Sequence, residues 1–475
     1  MTRNKNSELT RNTLLFAIGS FSTKFISFFL VPLYTYTLTT EEYGMVDILS
    51  TTIALLVPVI SLNIQDAVLR FAFDKDYKQR EVFSIAVKVI IAGSFLLGLA
   101  LSILKSVGLI KLENKFLFFL WIVFALTSLS NSLQMFLKTK DKVKVVVLSG
   151  LASTAVTCIS NVVLLFALKK GINGYLASGI LGSAVSVGVC LVFGDVFKNF
   201  NLFRFDKALF KSMVKYSAPL ILNSIAWWIN SGSDKYILIY FKGISEEGVY
   251  AIASKIPSIL SVFQTIFYNA WAISAIRDFD EKDTDGYIGN TYKLYSLASI
   301  VGCSLLIVVN PFLSLVLYKN DFFEAYKYAP LLLVGAMLNG MALFEGCLYA
   351  AAKRTTVVTY TTLIGAAFNI SLNLILIPYT GALGAAMATM IGYIFVWISR
   401  SVYLHKFIRI KYNWTIQIVS IILILLQVVA FELNFSFASQ IIVFVTLFSI
   451  QTICSREAIK SFFQSLKKQK KKLHC

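Results

Sequence analysis

Four lysines stand inside long apolar stretches, where an ammonium group is a charge that hydrocarbon rejects. They are Lys24 in LLFAIGSFSTKFISFFLVPLY, Lys88 in VFSIAVKVIIAGSFLL, Lys235 in INSGSDKYILIYF and Lys255 in VYAIASKIPSILSVF. Two carboxylates share that setting, Asp234 directly before Lys235 and Glu345 in MALFEGCLYA. An ionisable group at membrane depth is a functional candidate because it must face water, an opposite charge or a charged substrate. The chemistry open to such lysines is to supply counter-charge to an anion. Lys24 lies about twelve residues, or ~18 Å, from either end of its stretch, too deep for its stem to reach water. Lys88, Lys235 and Lys255 lie about six residues, or ~9 Å, from an end, so snorkelling and function both stay open for them. Adjacent residues face different sides of a helix, so Asp234 and Lys235 need not pair with each other. Arg70, in NIQDAVLRFAFD, either marks a membrane boundary or lines an inward-facing mouth.

Other chemistry has little to work with. The two histidines, His405 and His474, fall in basic loop or tail sequence. The six cysteines form no CxxC pair, so neither a disulfide framework nor a zinc site is expected, and no cofactor is called for. Catalysis would fall to carboxylates or hydroxyls.

These residues are positioned by a chain of 475 residues that is 57% apolar and 15% charged, with mean hydropathy +0.73. Soluble domains carry roughly 25% charged residues, which excludes a soluble multidomain enzyme and a disordered chain. Forty-four lysines and arginines against 25 acids give a net charge of +19. In a membrane protein such an excess reports topology, and no nucleic-acid partner is expected. The tail SLKKQKKKLHC reads as a solvated topology anchor that also attracts anionic lipid. The N-terminal apolar stretch lacks a small-residue cleavage site and reads as a retained span.

Apolar runs near ~20 residues give about fourteen membrane helices. The expected spans are near 12 to 37, 45 to 66, 82 to 104, 116 to 137, 145 to 168, 174 to 196, 217 to 241, 249 to 275, 294 to 317, 328 to 352, 356 to 377, 381 to 399, 414 to 431 and 437 to 454. Pro32, Pro58, Pro219 and Pro257 interrupt the first, second, seventh and eighth of these. Asn63, Gln65, Asn223, Asn230, Asn269, Asn339, Asn369 and Asn373 add amides at membrane depth, for most of which interhelical hydrogen bonding is the simple account. With the N-terminus in the cytoplasm, thirty-two of the 44 basic residues fall in cytoplasmic segments and eight in outer ones. That bias places both termini in the cytoplasm.

A weak repeat lies six helices apart. TTEEYG (Glu41, Glu42, Gly44) follows the first span and ISEEG (Glu246, Glu247, Gly248) the seventh, while INGYLASG around Gly174 and YTGALGAA around Gly381 occupy matching later turns, all at an offset of about 205 residues. Six is even, so the halves keep one orientation, related by an axis along the membrane normal. The expected fold is an all-α integral membrane protein of two pseudo-symmetric six-helix bundles around a central cleft. The expected divisions are 1–216, 217–411 and a C-terminal pair of helices with basic tail, 412–475.

Residues Phe368 to Thr389, FNISLNLILIPYTGALGAAMAT, resemble the signature of the eleventh and twelfth helices in polysaccharide-exporting flippases of the multidrug/oligosaccharidyl-lipid/polysaccharide superfamily. The pattern is Asn369 and Asn373 four apart, an apolar run, Ile377-Pro378, a turn at Gly381, Gly384-Ala385-Ala386, then Ala388-Thr389. Similar support comes from RNTLLFAIGSFSTKFISFFLVPLYTYTLTTEEYG, SDKYILIYF, EEGVYAIASKI and FLKTKDKVKVVVLSG, so the resemblance touches most of residues 10 to 410. It departs where these flippases often carry arginine, since Lys24 and Lys235 lack the bidentate fork. The resemblance implies an O-antigen or capsule repeat-unit flippase in the bacterial cytoplasmic membrane, moving a polyprenyl-pyrophosphate-linked oligosaccharide, with a polysaccharide polymerase as a partner. Lys24, Arg70, Lys235 and Lys255 would then bind substrate, and Glu345 and Asp234 would couple the cycle to an ion.

Two other classes fit less well. A drug or cation antiporter of the same superfamily would want a lumen rich in acids, whereas the ionisable residues singled out in these spans are four lysines and two carboxylates. A membrane polymerase or ligase usually needs a large outer loop, and every expected outer loop has about a dozen residues or fewer. The sequence therefore reads as a transporter, not an enzyme.

Overall fold

The chain is a multi-pass membrane protein. Its structure, a computed structural model, describes Gly19 and residues 23–24, 26–74, 76–196, 205–277, 279–408 and 414–460. Every regular element among these residues is helical. Twelve of the helices are long and apolar enough to cross a membrane. Much of the expected first span lies outside the described residues; its later part is helical over Ile26–Thr37 and turns at Leu30, ahead of α1 (Val31–Thr37). Pro32 sits in the first turn of α1, where its missing N–H leaves no bond broken.

The second expected span is two helices. α2 (Thr40–Ile60) starts in a capping box: Thr39 Oγ1 accepts from the Glu42 N–H at 3.1 Å, and Glu42 Oε2 accepts from the Thr39 N–H at 3.0 Å. It ends just after Pro58, where Leu62 and Asn63 take left-handed φ of 55° and 48° and the Asn63 N–H reaches back to the Pro58 carbonyl at 2.9 Å. α3 (Ile64–Ala72) follows. The next four are α4 (Gln79–Ser106), α5 (Asn114–Thr139), α6 (Val143–Asn161), continued by a π turn over Val162–Ala167, and α7 (Gly171–Gly194).

The seventh expected span lies within α8 (Lys207–Lys242), which is 36 residues long yet not among the twelve apolar spans. Asn223, Asn230, Asp234, Lys235 and several serines dilute its hydropathy. The eighth is again split, into α9 (Ile244–Ala253) and α10 (Lys255–Arg277), with Pro257 in the first turn of the second piece. Then come α11 (Tyr287–Leu317), a 3-10 turn over Asn320–Lys327, α12 (Ala329–Ala351), α13 (Thr355–Thr380), α14 (Ala382–Leu404), α15 (Trp414–Glu432) and α16 (Phe437–Cys454). The glycine-rich GALGAAMATMIG forms the start of α14 and is not a loop.

The chain divides into two compact units, Met1–Tyr236 and Ile237–Cys475. In the first, Phe83 and Phe136 stack at 4.6 Å among Val68, Leu133, Leu137 and Cys190, all buried. In the second, Trp271 stacks on Phe344 at 4.4 Å, with Phe267 4.5 Å from Tyr295. The last two helices are fastened to their unit by polar pairs: Ser296 donates to Gln417 Oε1 and Ser304 to Gln427 Oε1, both at 2.7 Å, and Gln451 donates to Ser420 Oγ at 2.7 Å. Buried amide and hydroxyl pairs of this kind replace the hydrophobic drive that is missing between helices in lipid.

Each unit closes one turn in the same way. Glu42 Oε1 accepts from the Ile172 N–H at 3.4 Å at the start of α7, and Glu246 Oε1 accepts from the Ala382 N–H at 2.7 Å at the start of α14. Both helices are preceded by or begin with a left-handed glycine, Gly171 (φ 53°) and Gly381 (φ 60°). A Cβ on either would meet that carboxylate, at 3.2 Å and 1.9 Å respectively. The two short repeats read from the sequence are thus the two ends of one contact, and its glycine in the first unit is Gly171 rather than Gly174.

Candidate functional site

The polar residues of the first unit gather where α2 runs beside α8. α8 carries them because its sequence SIAWWINSGSDKYI sets polar side chains at helical spacing on an otherwise apolar rod. The Lys235 ammonium forms an ion pair with Asp47, and its Nζ lies 3.4 Å from Thr51 Oγ1. One turn along, the Trp228 indole N–H donates to the Thr51 carbonyl at 2.8 Å, and the hydroxyls of Thr52 and Tyr236 are 2.6 Å apart. Both members of the ion pair are largely withdrawn from solvent, with side-chain exposures of 18% and 16%. Asp234 is buried and accepts from the backbone N–H of Lys235 at 3.0 Å, so the two neighbours face apart and Lys235 is neutralised from another helix.

Lys24 is in helical backbone with its side chain exposed. Among the described residues no carboxylate pairs with it. Lys255 is the first residue of α10 and half-buried, which sets a cation at the end of a helix where the macrodipole favours an anion. Lys88 lies over the Phe205 ring at 5.6 Å, a cation–π contact that accommodates its charge. Arg70, in the last turn of α3, is exposed and pairs with Asp74 at 3.7 Å. The geometry gathers Lys235 with Asp47 and Thr51, while Asp234 faces away from them and Arg70 is engaged separately within α3 and its following turn.

The second unit holds a buried charged knot. Arg400, on α14, donates to the Ala342 carbonyl on α12 at 2.6 Å and to Thr361 and Thr362 hydroxyls on α13 at 3.1 Å and 2.8 Å. Its own carbonyl accepts from the Tyr349 hydroxyl at 2.6 Å. Glu345 is 1% exposed; its Oε1 accepts from Ser401 at 2.5 Å, and its Oε2 has no hydrogen-bond partner. On α13, Asn373 donates to Asn369 Oδ1 at 2.9 Å, so the amide pair of the signature is joined along one helix face.

Two of these residues escaped the sequence reading. Asp47 falls at the start of the span expected over 45 to 66, where a carboxylate reads as a boundary residue; α2 begins earlier, at Thr40, and so carries it inside the helix. A span expected to end near 399 leaves Arg400 among the cytoplasmic basic residues; α14 runs on to Leu404, and the arginine is 3% exposed inside it. The continuing SVYL after Arg400 was the available signal.

Comparisons with known proteins place this architecture. Over 212 residues the chain is 25% identical to an uncharacterized membrane protein of Methanocaldococcus jannaschii, a match covering 43% of this chain and 41% of that one. Over 214 residues it is 22% identical to the probable low-salt glycan biosynthesis flippase Agl15 of Haloferax volcanii, covering 43% and 44%. The chain thus matches less than half the length of these curated relatives. Among solved structures, the lipid II flippase MurJ in an inward closed conformation superposes with a TM-score of 0.70 at 15% identity, covering 94% of this chain and 100% of that one. An inward-facing multidrug resistance MATE family transporter of the MOP superfamily gives 0.63 at 12%, covering 82% and 98%. At such identities the likeness is one of fold. The sequence model of the polysaccharide biosynthesis proteins matches residues 9–273, more than half of the 475, and the chain belongs to that family.

Proposed function

We propose that the protein is an alternating-access flippase that moves a polyprenyl-pyrophosphate-linked oligosaccharide repeat unit across the membrane during surface polysaccharide synthesis, of the O-antigen or capsule kind. The observation that carries this reading is Lys24, an exposed ammonium deep in the first span with no carboxylate paired to it among the described residues. A pyrophosphate cannot cross hydrocarbon without counter-charge, and a lysine held at that depth supplies it while the lipid tail stays in the bilayer. Lys255, at a helix end that favours anions, is a second candidate for substrate binding, and Arg70 would meet the substrate at a membrane boundary. Membership of a polysaccharide biosynthesis family supports the reading, as do relatives named as a glycan biosynthesis flippase and a lipid II flippase.

Lys235 has a different part in this account. Its charge is met by Asp47, so it engages substrate only in a state where that pair opens. Glu345, with one carboxylate oxygen unpartnered in a buried setting, supports ion coupling through uptake of a proton, and buried Asp234 is the second candidate. Transport, not catalysis, is the activity, and a polysaccharide polymerase would receive the translocated unit.

Deletion of the gene in its native host tests the proposal. Surface glycan is expected to disappear, with lipid-linked repeat units accumulating on the cytoplasmic face. Intact glycan, together with raised resistance to cationic drugs on overexpression, would replace the flippase with a drug antiporter.

A further inference from the structure

A groove runs along an exposed side of the first unit, between the last three turns of α4 and the first two of α5. Its volume is about 420 Å³, within the ~300–1,000 Å³ of small-molecule sites. The walls are apolar and exposed: Phe95, Leu99 and Phe118 are 70%, 49% and 55% exposed. Its floor is fixed. The Trp121 indole N–H donates to the Ser94 carbonyl at 2.8 Å, and the ring passes so near Gly98 that a Cβ there would lie 2.9 Å from its Nε1. A glycine at this point is what allows the indole to lie back and leave the channel open.

The mouth of the groove is cationic. Lys105 donates to the side-chain oxygen of Asn114 and to the Leu112 carbonyl at 3.2 Å, both neutral acceptors. The acid in the turn, Glu113, is taken by Lys115 at 2.8 Å, and Lys111 stands exposed beside them. From Phe95 to Lys105 is ten residues, or ~15 Å of helix, half of a ~30 Å hydrocarbon core. An apolar trough one leaflet long, ending in a lysine with no acid of its own, matches one lipid molecule: an acyl chain along the trough and a phosphate at the ammonium.

We propose that this groove is a binding site for an anionic glycerophospholipid of the leaflet at the α4–α5 turn, with its acyl chain against Phe95, Leu99 and Trp121 and its headgroup phosphate on Lys105. The site is separate from Lys24 and does not depend on what the protein transports. A lysine at a membrane surface attracts anionic lipid with about 1 kcal/mol, equivalent to a preference of roughly fivefold.

The test uses the full-length protein in phosphatidylcholine vesicles containing a minor fraction of tail-diazirine phosphatidylglycerol or tail-diazirine phosphatidylcholine, with photolabelled peptides mapped by mass spectrometry. Phosphatidylglycerol should label the 95–121 segment roughly fivefold more than phosphatidylcholine. Lys105→Gln should bring it to the phosphatidylcholine level, Lys105→Arg should keep it, and Ser102→Trp should remove labelling of the groove by filling it. Unchanged labelling of α15 and α16 in the same samples reports that each variant is folded. Equal labelling by the two lipids, or a Lys105→Gln protein that labels like the wild type, would overturn the proposal. Displacement of the label by soluble glycerol phosphate or inorganic phosphate would overturn it as well, assigning Lys105 to a free anion.

Discussion

Lys235 is neutralised by Asp47, a residue 188 positions earlier in the chain, and not by the aspartate beside it. A pair withdrawn from solvent to this degree is strongly asymmetric: opening it costs more than it contributes when whole, because the survivor is left charged in a poor solvent. Lys235→Ala is therefore expected to destabilise by about 1.5–3 kcal/mol, and Asp47→Asn by a similar amount. The double variant Asp47→Asn/Lys235→Met should recover most of that loss. Thermal unfolding of the purified protein in detergent, followed as a double-mutant cycle, measures the coupling. Additive losses would mean that the pair does not hold α2 to α8.

Arg400, on α14, binds two other helices through one guanidinium, and the geometry of its fork decides what can replace it. Lysine carries the charge but cannot reach Ala342, Thr361 and Thr362 together. Both Arg400→Lys and Arg400→Ala are expected to lower membrane abundance, Ala by the equivalent of about 3–5 kcal/mol, since it strands buried acceptors and removes the cation nearest Glu345. Quantitative immunoblotting of membranes at constant transcript level reads this out. Wild-type abundance of the Lys variant would show that charge alone suffices.

Glu42 and Glu246 make equivalent contacts with left-handed glycines, and at Gly381 an added Cβ would overlap the carboxylate. Gly381→Ala places a Cβ against the Glu246 carboxylate at a left-handed φ and is expected to cost about 1–3 kcal/mol. Glu246→Ala should cost about 0.5–2 kcal/mol, the worth of a helix N-terminal acceptor, and Glu246→Gln, which keeps an acceptor oxygen, less. The ordering of the three in thermal unfolding is the check; a Gly381→Ala protein as stable as wild type would contradict the contact.

How much of this could be read from residues alone follows from which interactions are local. Lipid demands an unbroken apolar run per helix, so most spans are visible as strings of letters, and α8 is recognisable from the same polar residues that take it below the apolarity of the others. The left-handed turn at Leu62 and Asn63 was not visible, because Pro58 announces a disturbance without fixing where the chain bends. The repeat was legible as two motifs but not as one contact, since nothing in TTEEYG points to a backbone N–H some 130 residues on. Lys235 could be picked out from its setting, yet its partner depends on how α2 and α8 pack. Arg400 reads as a boundary residue from sequence alone, because arginine near a helix end usually is one.

Asp280, in the loop before α11, accepts from the Thr284 hydroxyl at 2.5 Å, the Thr284 N–H at 2.7 Å and the Lys282 N–H at 3.0 Å. These bonds, the Thr284 hydroxyl first, hold its carboxyl below the usual range, at about 2. A depressed carboxyl pKa stabilises the loop above the ordinary carboxylate range, and that contribution fades as pH falls through about 2. Between neutral pH and pH 5 Asp280 should therefore stay ionised, while Asp280→Ala should speed hydrogen exchange at Lys282 and Thr284 throughout that window. Unaltered exchange in the variant would mean that the carboxylate does not order the loop.

The central claim is that a lysine deep in the first span carries an anionic lipid-linked glycan across the membrane. An ammonium at the midplane costs at least ~2.5 to 3.5 kcal/mol on insertion scales, so Lys24→Ala should insert as well as the wild type or better. The deciding measurement is the fraction of lipid-linked repeat units reachable from outside, in cells of the deletion strain carrying Lys24, Lys24→Ala or Lys24→Arg at matched membrane abundance. The Ala protein, normally abundant, is expected to leave those units inside, and the Arg protein to restore part of the translocation. Full translocation by Lys24→Ala at normal abundance would contradict the claim.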